Sequence, residues 1–115
     1  MSIVYIIKEQ LLRGEHGSAP VDYSPAMAFG DIVFVTTIDL PVYGKGSVLD
    51  RWCSMADAFV DAYRPDDYII CTGQPMAIFM IGYVMGRANL HIPPRFLVWR
   101  RQEGEYRVVS FPSIG

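Results

Sequence analysis

Thr72, Gly73 and Gln74 stand between an apolar run, Tyr68-Ile69-Ile70-Cys71, and Pro75, which opens a second apolar run. A hydroxyl, a glycine N–H and a side-chain amide at a strand-to-helix junction suit an anion. The start of a helix leaves backbone N–H groups unpaired and carries a partial positive charge. In that setting Thr72 would donate its hydroxyl, Gly73 its N–H, and Gln74 would read a base or amide edge. Thr36, Thr37 and Asp39 close an earlier apolar run in the same way, and the Asp39 carboxylate suits sugar hydroxyls. Ligands of open α/β sheets gather beyond the carboxyl ends of the parallel strands, so the two groups meet if their strands are parallel neighbours. The alternative is structural: Thr37 and Asp39 as turn formers, Gly73 as the hinge of a tight loop.

Arginines supply the second candidate set. Arg87, Arg95, Arg100, Arg101 and Arg107 crowd the C-terminal part, where only Glu103 and Glu105 oppose them. Guanidinium groups fork onto phosphates and stack on rings, so with Trp99 and Tyr106 this region suits a ligand that combines phosphate and purine. Arg100 and Arg101 read as consecutive strand residues on opposite faces, so at most one of them aims at a given crevice. A solvated hairpin is the competing reading.

Several chemistries lack their residues. There is no G-x-G-x-x-G and no G-K-[ST], so classical dinucleotide or ATP binding has no support. Cys53 and Cys71 show no C-x-x-C spacing and sit in patterns that read as buried, which predicts free core thiols, a reducing compartment and no zinc. His16 and His91 fall in loop-like segments and no G-x-S-x-G elbow is present, so no catalytic residue, metal or cofactor is expected. The net charge of -2 and pI near 5.5 argue against duplex nucleic acid as a partner. The first residues lack a basic n-region, so they read as a strand rather than a signal peptide, and the cytoplasm is the expected location.

The elements that must position these groups fit one domain over residues 1–115, with 51% hydrophobic residues to fill one core. Residues 3–7 read as a strand, edge or central. Residues 11–30 carry Gly14, Gly17, Pro20 and Pro25 and read as a long loop or flap. Residues 32–37 form a continuous β-branched run, predicting a central strand covered on both faces. Ser47, three residues before Asp50, predicts a helix N-cap. The helix that follows is amphipathic, with Val48, Leu49, Trp52, Met55, Ala56, Phe59, Val60 and Tyr63 on one side and Asp50, Arg51, Ser54, Asp57 and Asp61 on the other, and Arg64-Pro65 ends it.

The helix from Pro75 to about Arg87 is apolar all round, which predicts packing on more than one side. Gly82 and Gly86 permit a close neighbour, either the sheet or a second subunit. Residues 68–86 hold no charge and approach a membrane span in length, but Thr72-Gly73-Gln74-Pro75 divides them. Residues 96–100 and 106–111 read as a hairpin about Glu103-Gly104. The expected fold is α/β: a small Rossmann-like three-layer domain, its mixed sheet closed by a C-terminal antiparallel hairpin. The apolar helix and two tryptophans in so short a chain predict a homo-oligomer, a symmetric dimer being simplest.

The combination D-Y-I-I-x-T-G-x-P, an apolar helix, then F-L-V-W-R-R and a tyrosine after the turn resembles small Rossmann-like proteins encoded by bacteriophages. Among these it is similar to the Thoeris anti-defence sponges that sequester cyclic ADP-ribose-type signals. The resemblance covers about residues 67–111 and assigns no individual binding residue. It implies a non-enzymatic homo-oligomer in the host cytoplasm that binds a nucleotide signal and withholds it. A protein-interaction subunit and a small nucleotide-processing enzyme are the alternatives.

Overall fold

The computed structural model describes residues 2–14, 17–41, 46–88 and 93–110. Their order is β1 (Ile3–Lys8), β2 (Leu11–Gly14), β3 (Gly17–Pro20), a 3-10 helix (Ser24–Ala28), β4 (Asp31–Thr36), α1 (Ser47–Ala62), β5 (Tyr68–Ile70), α2 (Pro75–Arg87), β6 (Arg95–Arg100) and β7 (Glu105–Ser110). Five strands form one sheet in the order β4-β1-β5-β6-β7, and β2 with β3 forms a separate ribbon. β1 pairs in parallel with β4 and β5, β5 pairs in parallel with β6, and β7 closes the sheet antiparallel to β6. This is the α/β fold with a mixed sheet and terminal hairpin that the sequence predicts.

Chain direction explains the layers. The step from β1 to β4 runs one way along the sheet, while the steps from β4 to β5 and from β5 to β6 run the other way. Right-handed crossovers therefore place α1 and α2 on one face and the β1–β4 connection on the opposite face. On the front face, Tyr5, Ile7, Val35 and Ile69 pack with Trp52, Phe59, Ala77 and Ile81 of the two helices. On the back face, Val4, Ile6, Ile70, Leu97 and Tyr106 pack under Tyr23 and Ala26. The third layer is thus the 3-10 helix and its flanks, thinner than either α-helix.

Four expectations need correction. β4 is an edge strand, with Val33 and Phe34 exposed at 40% and 37%, and the strand buried on both faces is β1. A β-branched run looks the same in either place, because the sequence does not show its neighbours. Among the described residues of 11–30, an antiparallel ribbon and a 3-10 helix stand in place of an irregular flap. The glycines and prolines that read as loop markers end β2 at Gly14, open β3 at Gly17, close it at Pro20 and stand in the first turn of the 3-10 helix at Pro25. Ser47 is the first residue inside α1 and not its N-cap; Gly46 takes that place with φ 98°, a left-handed value open to glycine. α2 is covered on one side only. Ala77 and Ile81 are buried, whereas Met76, Phe79 and Tyr83 are exposed at 44%, 73% and 52%.

Gly82 and Gly86 do not mark a close approach within the chain either, since, apart from their chain neighbours and the nearby backbone of α2 itself, no described atom lies within 4 Å of where their Cβ atoms would stand. Among the described residues no helix is long and apolar enough to cross a membrane. The uncharged stretch divides into β5, a turn and α2, as the polar break at Thr72-Gly73-Gln74 predicts.

The amino ends of the strands are tied by Asp67. Its buried carboxylate accepts from the Ile3 N–H at 2.9 Å and the Arg64 N–H at 2.8 Å, joining the exit of α1 to the start of β1. Arg95 donates to the carbonyls of Asp66 and Asp67 and lies over the Tyr68 ring, 4.1 Å from its centroid. This arginine of the C-terminal cluster is a brace at the end of the sheet opposite the candidate site.

Candidate functional site

The carboxyl ends of β1 and β5 form the point where the sheet switches direction. These neighbours run in register, Ile6 beside Ile70, and then part: the chain leaves β1 toward the back face and leaves β5 toward the helical front face. The premise that β4 and β5 are neighbours is corrected here, because β1 lies between them and pairs with both. Thr36, Thr37 and Asp39 therefore flank the end of β1 on one side, and Thr72, Gly73 and Gln74 on the other.

Three of these side chains bond to the main chain of Ile7, Lys8 and Leu40. The buried Thr36 hydroxyl donates to the Ile7 carbonyl at 2.8 Å, and the Thr72 hydroxyl donates to the Lys8 carbonyl at 2.7 Å. The Gln74 amide closes on Leu40 from both sides, accepting from its N–H at 2.7 Å and donating to its carbonyl at 3.2 Å. Asp39 pairs with Lys8 at 3.3 Å and stays largely exposed, and the exposed Thr37 hydroxyl lies 3.9 Å from the Met55 sulfur. Gly73 has φ 118°, and a Cβ there would stand 3.2 Å from the Lys8 Cβ. The result is a rim that ties the exits of β4, β1 and β5 together. A group whose hydrogen is already donated has its lone pairs left for a ligand, so the rim positions more than it offers.

Two cavities open beside this rim. The front one, about 390 Å³, lies between α2 and the sheet, lined by apolar side chains, Gly82, Gly86 and Cys71. The back one, about 760 Å³, is more varied: Gln10, Tyr23, Thr72, Trp99, Arg101 and Tyr106 are among its walls. Its size falls in the usual range of small-molecule sites. Trp99 and Tyr106 meet edge to face with centroids 5.0 Å apart. The Tyr23 hydroxyl accepts from the Gln10 N–H at 3.1 Å, fixing the back layer against the end of β1. Burial pushes the Tyr106 phenol up, with the nearby Tyr23 and Asp22 adding to the effect, so this wall stays protonated at neutral pH. Asp22 accepts from the Ser24 N–H at 2.9 Å, which lowers its carboxyl pKa and keeps a negative charge at the mouth.

Of the eight candidate residues, Thr72 and Arg101 reach this back cleft. Arg100 ends β6 and pairs with Glu103 at 3.7 Å. Arg101 is in the turn, residues 101–104, so the strand-alternation argument does not apply to it. Gln10, Asp22 and Tyr23 were missed because they fall in or beside the segment read as a flap, where no periodicity pointed inward.

Both thiols are free and exposed, correcting the expectation of buried cysteines, although apolar surroundings still push the Cys71 thiol pKa up. A raised thiol is a poor nucleophile at neutral pH. His16 and His91 lie outside the described residues. Among those described, no cluster of three metal-ligating side chains occurs.

The family model for Phage Pam3 gp32-like protein matches residues 2–113, and the chain belongs to that family. No curated protein and no solved structure matches it.

Proposed function

We propose that this member of the phage Pam3 gp32-like family binds an anionic, nucleotide-like small molecule in the back cleft and holds it without turnover. The observation that carries the reading is the cleft itself. It lies at the strands' carboxyl ends beside the switch point, and it brings aromatic faces, the Thr72 oxygen and the Arg101 guanidinium to one space of about 760 Å³. An arginine and an aromatic wall fit a phosphate joined to a heterocycle. The resemblance to anti-defence sponges makes a cyclic ADP-ribose-type signal the leading ligand, with sequestration from a host effector as the purpose. Membership of a phage family is in keeping with that purpose.

Isothermal calorimetry against a panel of nucleoside monophosphates, cyclic nucleotides and cyclic ADP-ribose tests the reading, followed by chromatography of the recovered ligand. Saturable heat with ligand returned intact is the expected result. Recovery of a product would make the protein an enzyme, and a folded protein that takes up none of the panel would refute ligand binding.

A second reading has its own observation. Met76, Phe79 and Tyr83 recur along the outer side of α2 and are exposed together, as in a surface that joins another protein chain or a second copy.

A further inference from the structure

We infer that, within the nucleotide-binding reading on which this rests, the heterocycle is recognised by the main chain of β6. The starting point is an interruption of the sheet. β5 has three residues and pairs with β6 only at Ile69↔Phe96, whereas β6 continues to Arg100 and pairs with β7 along its whole length. Beyond Phe96 the side of β6 that faces β5 has no strand partner among the described residues. Successive residues of a strand turn their N–H and C=O groups alternately to its two sides. Between Leu97 and Arg100 the gap is therefore edged by main-chain donors and acceptors.

This gap opens into the site already described. Cys71 and Phe96 line both cavities, at the place where β5 and β6 part. Val98, Trp99, Thr72 and Arg101 border its back side. Val98 and Trp99 are each 44% exposed, so this edge is open to solvent, and a ligand that settles on it needs to match its donors and acceptors. A purine edge with an exocyclic N–H beside a ring nitrogen meets that need: its N–H donates to a strand carbonyl and its ring nitrogen accepts from a strand N–H. The same ligand would lay its phosphate toward Arg101, which stands in the turn just past β6. Recognition falls on adenine-type edges and not on the sugar phosphate alone.

The test uses the full chain, 15N-labelled, with three probes: adenosine 5′-monophosphate, N6,N6-dimethyladenosine 5′-monophosphate and ribose 5-phosphate. In the free protein the β6 amides that face the gap should exchange quickly with solvent. Saturating adenosine monophosphate should slow one or more of the amides of Leu97 to Arg100 at least tenfold, and ribose 5-phosphate should leave them unchanged. The dimethylated nucleotide, which cannot donate from N6, should bind at least tenfold more weakly. Adenosine monophosphate that binds by calorimetry without slowing these amides, or that binds no better than its dimethyl form, overturns the main-chain assignment alone. Absence of binding heat for every nucleotide overturns the underlying reading and this assignment with it.

Discussion

Asp67 shows how much one side chain can hold when two elements end beside it. Its carboxylate takes one N–H from Ile3 of β1 and one from Arg64, two residues past the end of α1. Asp67→Ala leaves two partly buried donors without an acceptor and should cost several kcal/mol, about 1–3 for each donor left unmet. A urea denaturation curve checks this. Thr72 carries a smaller load. With its hydroxyl already donated to the Lys8 carbonyl, Thr72→Val should lower stability by about 0.5–1.5 kcal/mol even without ligand. A melting temperature equal to that of the wild type would show the hydroxyl to be free in solution. Gly30 is a steric requirement, because a Cβ there would stand 2.3 Å from the Ser2 carbonyl oxygen. Gly30→Ala must push the chain ahead of β1 off β4, an overpacking cost of about 1–3 kcal/mol that the same denaturation series reads.

Among the elements, α2 carries the largest discrepancy between expected and observed burial. A helix apolar on all sides was expected to be enclosed, and the fold encloses only the side bearing Ala77 and Ile81. The outer side, with Phe79 at its centre, then separates folding from association. Phe79→Ser should leave the urea midpoint nearly unchanged, because the ring is already in solvent. If α2 joins a second copy, the same variant should convert a dimer to a monomer in sedimentation velocity at micromolar concentration. A wild-type protein that sediments as a monomer throughout would remove the dimer. The other elements divide by how local their signals are. The amphipathic period of α1 and the turn at Gly104, φ 64°, were legible because one segment contains the whole pattern. The edge position of β4 and the β2–β3 ribbon were not, since strand neighbours and ribbon pairing are set by distant residues.

At the scale of the molecule, the front core encloses two tyrosines, Tyr5 and Tyr63, among its aliphatic side chains. Burial raises the phenols of Tyr5 and Tyr63, with the negative charge of Asp67 adding to each. A phenol raised in the folded state contributes stability below its unfolded pKa, near 10, and that contribution is lost as pH rises through the folded value. Thermal stability should therefore fall above about pH 10, with tyrosinate absorbance at 295 nm rising together with unfolding. A smooth absorbance titration on a still-folded protein would place these hydroxyls in contact with solvent.

The sequence by itself determined the strands and helices outside residues 11–30, the α/β class, the terminal hairpin and the polar break that makes β5 and α2 two elements instead of a membrane span. These follow from local periodicity, turn residues and chain length. It also placed the candidate residues at the carboxyl ends of strands, since each sits where an apolar run stops. Only the tertiary structure decided that β1 comes between β4 and β5, and this turned Thr36, Thr72 and Gln74 from a facing pair of loops into a rim of hydrogen bonds around Lys8 and Leu40. It decided as well that Gln10 and Tyr23 join Trp99, Arg101 and Tyr106 about one cleft. The physical reason is that strand order is a choice among long-range pairings of nearly equal apolar runs. That choice is settled by which connections cross with the right hand and by which faces two helices and a short 3-10 turn can cover.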